Sequence, residues 1–127
     1  MDLRGLLLDY AGVLDQPGMD AVARAVRAAG VRTAVVSNTD RLPDSVRPAD
    51  FDAFVLSGAV GCAKPDAEIY RLAARRLGLA PGECVFVDDL RRNVDGAVAT
   101  GMVGVHHSDA ESTSLELQAL FDRDLGL

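Results

Sequence analysis

The sequence predicts an α/β fold: a doubly wound, Rossmann-like three-layer sandwich built around a five-stranded parallel sheet. Short apolar runs alternate with segments that carry apolar residues at helical spacing, which is the rhythm of βαβ units. The runs are continuous rather than alternating, as is typical of strands buried on both faces of a parallel sheet. The length of 127 residues fits one domain, residues 1–127, with one core and one site.

Each predicted element follows from a local pattern. The apolar runs predict strands at residues 6–8, 34–36, 54–56, 84–87 and 102–105. Stripes at i, i+3, i+4 and i+7 spacing predict crossover helices within residues 19–26, 69–77 and 94–98, and a last helix is predicted around 117–121. Gly30, Gly78 and Gly101 follow three of these stripes and predict left-handed helix ends. Residues 38–50 contain two prolines and are expected to be irregular.

Composition argues against several classes of function. The formal net charge of −6 at pH 7 is unfavourable for a surface that binds nucleic-acid phosphates, and no apolar run is long enough to cross a membrane. Cys62 and Cys84 do not have metal-ligand spacing, and the pair His106 and His107 is interpreted as an exposed strand end. We therefore expect a cytoplasmic protein with reduced thiols whose partner is a small molecule or a protein.

Polar residues directly follow three predicted strands, at the edge where open parallel sheets bind ligands. They are Asp9 after the first strand, Ser37 and Asn38 after the second, and Asp88 with Asp89 after the fourth. Lys64 lies in the segment GCAKPD, just before the next helix. A carboxylate, a hydroxyl, an ammonium group and an acidic pair are therefore expected to converge on one edge of the sheet.

Several of these residues also have an ordinary structural interpretation. Ser37 could cap a turn, and Asp89 could be the N-cap of the helix that follows it. Lys64 could be a solvated loop lysine, since lysine is mostly a surface residue. Asp9 is harder to explain in this way, because a charge at the end of a buried strand costs desolvation unless a partner compensates it.

Taken together, these side chains fit phosphoryl transfer. The carboxylates of Asp9 and of Asp88 or Asp89 can hold a hard cation such as Mg²⁺, which prefers oxygen ligands. Ser37 and the amide that follows it can donate hydrogen bonds to phosphoryl oxygens, and Lys64 can neutralise charge on Asp9 and on the transferring group. The pattern predicts covalent catalysis on an aspartate.

Four segments, in the order DYAGVL, VVSNTD, GCAKPD and VFVDDLRRNVDGA, resemble the four motifs of the haloacid dehalogenase superfamily of hydrolases over about residues 6–105. The resemblance implies that Asp9 is the nucleophile, that Ser37 and Lys64 are catalytic, and that substrate phosphate is bound by Ser37, Asn38 and Lys64. It implies a Mg²⁺ site made by the side chains of Asp9, Asp88 and Asp89 and the backbone carbonyl of Ala11. Family phosphatases form an aspartyl-phosphate that water then hydrolyses.

Ala11 departs from the pattern of the family's phosphatases. They usually carry an aspartate two residues after the nucleophile, which protonates the leaving alcohol and activates the hydrolytic water. General acid–base catalysis contributes roughly 10²–10⁴-fold, so alkyl phosphate esters are expected to turn over slowly here, and acyl or aryl phosphates to suffer less. Phosphonate hydrolases of the superfamily also resemble this sequence in having alanine there, but they depend on a lysine from a cap domain.

The spacing of the motifs leaves no room for a cap domain. Only 28 positions separate Asp9 from Ser37, and 27 separate Ser37 from Lys64, which a turn, a helix and a strand consume. The site is therefore expected to be open, which suits a phosphoprotein substrate, or a phosphorylated small molecule enclosed by the second subunit of a homodimer.

Three alternatives compete with the phosphatase interpretation. The first is dehalogenase chemistry, which needs no metal. The adjacent acids Asp88 and Asp89 argue against it, because they would repel each other without a cation between them. The second is a two-component receiver domain, which also clusters acids, a hydroxyl and a lysine. In a receiver the acidic pair follows strand one and the lysine follows strand five, whereas in this sequence the acidic pair follows the fourth predicted strand and the lysine precedes that strand. The third alternative is a catalytically weak or inactive member of the superfamily, kept as a phosphate-binding or protein-interaction module, and Ala11 and the missing cap motivate it.

Overall fold

The structure, a computed structural model, describes residues 2–127 and confirms the predicted parallel sheet. Its five strands are β1 Gly5–Leu8, β2 Arg32–Ser37, β3 Ala53–Leu56, β4 Cys84–Asp88 and β5 Val103–His106. They lie in the order β3-β2-β1-β4-β5, and every neighbouring pair is parallel. The chain winds outward from β1 in both directions, so the fold is doubly wound.

The helices are α1 Met19–Ala28, α2 Ser57–Val60, α3 Ala67–Arg76, α4 Arg91–Ala99 and α5 Ala110–Phe121. Four of them were predicted, whereas α2 was not, because four residues are too few to display a helical period. Gly30, Gly78 and Gly101 have φ angles of 95°, 71° and 104°, which confirms the predicted left-handed conformation after three helices.

Two apolar layers enclose the sheet. On one face, Leu6 and Leu8 of β1 pack with buried residues of α1 and α5, and on the other face Leu7 packs with residues of α3 and α4. The central strands β1 and β4 are buried throughout. Strands β3 and β5 are only half-buried, because each lies at a sheet edge with one neighbouring strand.

The segments between the motifs contain only core elements. From Asp9 to Ser37 the chain forms a tight turn at Tyr10–Leu14, then α1 and β2. From Ser37 to Lys64 it forms an irregular segment that ends in a 3₁₀ turn at Pro48–Asp50, then β3 and α2. No cap domain interrupts the core in residues 2–127, as predicted. None of the helices in this range has the length and apolar character that a membrane crossing requires.

The prediction of an exposed strand end at His106 and His107 is right for the first residue and wrong for the second. His106 is exposed, but His107 is buried, with Nδ1 lying 2.6 Å from the Thr113 hydroxyl of α5. Helix α5 covers His107, and nothing in the local sequence of β5 signals this packing.

Candidate active site

Strand register brings three of the predicted site residues to one edge of the sheet. Leu8 lies opposite Val35 of β2 and Val87 of β4. Asp9, the next residue, is therefore level with the last residue of β4 and one residue short of the end of β2. The Asp9 amide continues the ladder by donating to the carbonyl of Val87 at 3.1 Å. Ser37 ends β2 and Asp88 ends β4, and both are buried.

Lys64 is inserted between two of the acids. Its Nζ lies 2.8 Å from Asp9 Oδ1 and 2.8 Å from Asp88 Oδ2, and only 1% of its side chain is exposed. The ammonium also lies 5.5 Å from the centre of the Phe86 ring, within the range of a cation–π contact. The only lysine of the chain is therefore not a solvated loop residue, because its charge is matched inside the site.

Asn38 holds Lys64 in place. Its Nδ2 donates to the carbonyl of Lys64 at 3.0 Å, and its Oδ1 accepts from the amide of Lys64 at 2.9 Å. The side chain predicted to bind substrate is thus engaged with the backbone of the lysine. The part of Asn38 that suits phosphate binding is its backbone amide, next to the Ser37 hydroxyl.

Asp88 is the most firmly held of the three acids. Besides Lys64, its carboxylate accepts hydrogen bonds from the amide of Leu90 at 3.0 Å and from Nδ2 of Asn93 at 3.2 Å. The hydroxyl of Tyr70 in turn donates to the carbonyl of Asn93 at 2.7 Å. Asn93 and Tyr70 were missed in the sequence, where each lies next to the apolar stripe of its helix and not within a motif that signals a site.

The N-cap interpretation of Asp89 is wrong. Helix α4 begins at Arg91 with Leu90 as its N-cap residue, and no side chain caps it. Asp89 instead faces the acidic cluster, in which one ligand atom each from Asp9, Asp88 and Asp89 lies within 4.8 Å of the other two.

The electrostatics of the cluster favour a divalent cation. Burial raises the pKa of Asp9 above its ordinary value, an effect that the Lys64 ammonium opposes. Burial also raises the pKa of Asp89, and the neighbouring Asp88 carboxylate adds to it. Three carboxylates with one ammonium leave an excess of negative charge and a set of oxygen donors, so the residues present fit Mg²⁺.

Gly12 is a further site residue that the sequence analysis missed. Its φ of 82° belongs to the left-handed region, and a Cβ at this position would lie 2.2 Å from Oδ2 of Asp89. Its amide donates to Oδ1 of Asp15 at 2.8 Å, which closes the turn after Asp9. A glycine three residues after a strand-end aspartate is the signal that could have revealed it.

A groove of about 670 Å³ lies beside the turn after Asp9. Tyr10 and Asp15 line one side of it, and Val46, Arg47 and Phe51 line the other. Both segments that flank the site therefore shape this groove: the turn that follows β1 and the irregular segment that follows β2. Ala11 is exposed in the same turn, and its methyl group can neither donate nor accept a proton.

Comparison with known proteins identifies the family. The family model described as haloacid dehalogenase-like hydrolase matches residues 2–101, most of the chain and all four motifs. The chain belongs to this family. The family membership agrees with the strand order, the ion pairs of Lys64 and the acidic cluster described above.

Two curated relatives illustrate the family's range. Acyl-CoA dehydrogenase family member 10 from Mus musculus is 36% identical over 87% of this chain, which spans 11% of that protein. The sesquiterpene phosphatase astK from Aspergillus oryzae is 40% identical over 55% of this chain and is covered to 36% of its length. The chain thus spans about a tenth and about a third of these relatives, and phosphatases are among its homologues.

One solved structure matches at nearly full length. An uncharacterized protein from Corynebacterium glutamicum is 33% identical to this chain and superposes with a TM-score of 0.86. The match covers 96% of this chain and 97% of that one. A core of this size therefore occurs in another protein of the same fold.

Proposed function

We propose that the chain is a Mg²⁺-dependent phosphatase-type hydrolase that works through an aspartyl-phosphate on Asp9. The observation that carries the proposal is the arrangement of Lys64 between Asp9 and Asp88, with Asp89 beside them. A carboxylate held at the end of a central strand by an ammonium group is a positioned nucleophile. The homology to a phosphatase supports the same reaction class.

The proposed reaction has two steps. An oxygen of the Asp9 carboxylate forms a bond to phosphorus while the bond from phosphorus to the leaving oxygen breaks, and the electron pair goes to the leaving oxygen. Water then attacks phosphorus, and the bond from phosphorus to the Asp9 oxygen breaks. This restores the carboxylate and releases inorganic phosphate and a proton to solvent. The Ser37 hydroxyl, the amide of Asn38 and the Lys64 ammonium bind the phosphoryl oxygens and stabilise their charge.

The metal would be held by the carboxylates of Asp9, Asp88 and Asp89 and by the carbonyl of Ala11. Bound there, Mg²⁺ supplies positive charge that offsets the repulsion between an anionic nucleophile and an anionic phosphate. The hydrogen bonds on Asp88 prepare one of these ligands in advance, because they fix its carboxylate before a cation arrives.

Ala11 limits which phosphate compounds the proposed enzyme can hydrolyse efficiently. The turn after Asp9 offers no acid two residues on, so the leaving group must depart without a proton from that position. Acyl and aryl phosphates have better leaving groups than alkyl phosphates and are the proposed substrate class. The groove beside Tyr10 and Asp15 is the proposed location of the leaving group. A phosphoprotein substrate and a homodimer both stay predictions from the absent cap.

Ala11 also favours the second candidate function, a phosphate-binding or protein-interaction module with little catalysis. In that case Ser37, Lys64 and the acidic cluster would bind phosphate and cation without turnover. The two candidates differ in whether a covalent bond forms on Asp9.

The deciding experiment is a mass spectrum of the intact protein after incubation with acetyl phosphate and Mg²⁺, compared with the Asp9→Asn variant. We expect an added mass of about 80 Da, one phosphoryl group, on the wild type alone. Release of phosphate by the wild type, without a detectable adduct, still supports the hydrolase if Asp9→Asn abolishes it. Equal behaviour of the two proteins would leave the binding module as the function.

A further inference from the structure

The backbone of Asp89 is held by a histidine that lies outside the four motifs. Nε2 of His106, the last residue of β5, lies 2.9 Å from the carbonyl oxygen of Asp89. Nη2 of Arg91 lies 3.2 Å from Nδ1 of the same ring. The imidazole thus bridges the end of β5, the carbonyl of Asp89 and the first residue of α4.

The two partners determine how the ring is protonated. The Asp89 carbonyl can only accept a hydrogen bond, so Nε2 of His106 carries the hydrogen. The guanidinium of Arg91 can only donate, so Nδ1 is the acceptor. Both contacts are satisfied at once by a single neutral tautomer, and Arg91 selects the tautomer in which Nε2 donates to Asp89.

The position of Asp89 depends on its contact with His106, because Asp89 has fewer hydrogen-bond partners than Asp88. The Asp88 carboxylate is fixed by donors from three other residues, Lys64, Leu90 and Asn93. Across residues 2–127, no donor from outside the acidic pair holds the Asp89 carboxylate, and His106 provides the hydrogen bond to its carbonyl. Asp89 is therefore positioned through its backbone rather than through its side chain.

A small displacement of this residue would matter for two reasons. The Asp89 carboxylate lies within 4.8 Å of ligand atoms of Asp9 and Asp88, so its position affects whether one cation can contact all three acids. It also lies against Gly12, where there is not even room for a Cβ. Outer partners that orient the ligands of a metal typically contribute 10–100-fold to its affinity.

The geometry points to His106 as a positioning residue for the metal site: it fixes Asp89 through the carbonyl, and Arg91 supports it by selecting the donating tautomer. This inference rests on the proposed Mg²⁺ site and adds to it a residue from β5, an edge strand that carries none of the four motifs. His106 does not reach the substrate or the reacting atoms, and its role acts through Asp89.

The test measures Mg²⁺ binding by isothermal titration calorimetry, so it does not depend on catalysis. We expect His106→Ala to raise the dissociation constant about tenfold or more, and His106→Gln to restore much of the affinity, because the glutamine Nε2 can donate to the same carbonyl. Arg91→Met should weaken binding to a smaller extent. Arg92→Met is the matched control, an exposed arginine one residue further on, and should bind like the wild type.

Three results would overturn the inference. Unchanged Mg²⁺ affinity in His106→Ala would do so, including the case in which only its thermal stability falls. A glutamine variant as weak as the alanine variant would show that the donated hydrogen bond is not the cause. If the wild type itself binds no Mg²⁺, the metal site of the proposed function is wrong and the inference is wrong with it. If the wild type binds Mg²⁺ and the His106 variants bind it equally well, only the role of His106 is rejected.

As a second readout, phosphatase activity of His106→Ala should recover toward that of the wild type at saturating Mg²⁺. Such recovery separates weakened metal binding from damage to the catalytic step.

Discussion

At the scale of single residues, the site combines a complete set of charges with one absent proton donor. Lys64 forms ion pairs with both Asp9 and Asp88 at 2.8 Å, and burial of all three side chains strengthens these interactions relative to water. Ala11, by contrast, is exposed and chemically inert. The arrangement therefore suits the proposed stabilisation of charge on a phosphoryl group, but it has no acid at position 11 to transfer a proton.

Introducing an acid at position 11 tests whether the missing proton donor limits the hydrolysis of alkyl phosphates. We expect Ala11→Asp to raise kcat on alkyl phosphates by about 100-fold, the lower end of the range for general acid–base catalysis. The position is exposed, so the larger side chain has space. Ala11→Asn is the control, because asparagine has the same shape and cannot transfer a proton. The explanation of Ala11 is wrong if both folded variants hydrolyse alkyl esters at the rate of the wild type.

At the scale of elements, a carboxylate just before β3 joins three parts of the chain. Asp52 Oδ1 accepts from the Arg27 guanidinium of α1 at 3.0 Å, and its Oδ2 accepts from the Thr33 amide of β2 at 2.8 Å. Arg27 also donates to the carbonyl of Ala49 at 2.7 Å. These contacts anchor the end of the irregular segment whose other residues line the groove.

The Asp52 contacts should appear as a pH-dependent contribution to stability. Partial burial acts to raise the pKa of Asp52, but the hydrogen bonds from Arg27 and Thr33 outweigh it and lower the pKa below the ordinary 3.8. The Asp52 carboxyl therefore binds a proton more readily in the unfolded chain than in the folded one. Its ionised form stabilises the fold above about pH 4, and this stabilisation is lost as the pH falls through the lowered pKa.

We expect Asp52→Asn to reduce the free energy of unfolding by about 1 kcal/mol at pH 7, and the difference from the wild type to shrink below pH 4. Urea denaturation at several pH values measures both. Asp44→Asn removes a fully exposed carboxylate of the same segment and should have almost no effect. A difference between wild type and Asp52→Asn that does not change with pH would contradict this account.

At the scale of the whole molecule, the sheet could be predicted from the sequence because strands buried on both faces need continuous apolar runs, and helices between them need an apolar stripe. The strand-end residues Asp9, Ser37 and Asp88 could be predicted because parallel strands end at the same edge. Contacts between segments that are distant in the sequence could not be predicted. The Asn38–Lys64 hydrogen bonds, the fit of Gly12 against Asp89 and the burial of His107 depend on tertiary packing that no local pattern encodes.

The absence of a cap in residues 2–127 also makes a prediction for the whole molecule. A cap would exclude solvent from the aspartyl-phosphate, whereas this core leaves the sheet edge around Asp9 without an inserted cover. Small nucleophiles should therefore reach phosphorus in the intermediate as water does. Methanol attacking phosphorus would release methyl phosphate and restore the Asp9 carboxylate, so atoms balance without a further reactant.

We expect turnover of an aryl phosphate in dilute methanol to give methyl phosphate together with inorganic phosphate, in a ratio that rises with methanol concentration. Phosphorus NMR of the products measures this ratio. The Asp9→Asn variant is the control and should give neither product. Inorganic phosphate alone at every methanol concentration, from an active wild type, would mean that another part of the molecule or a second copy closes the site during the reaction.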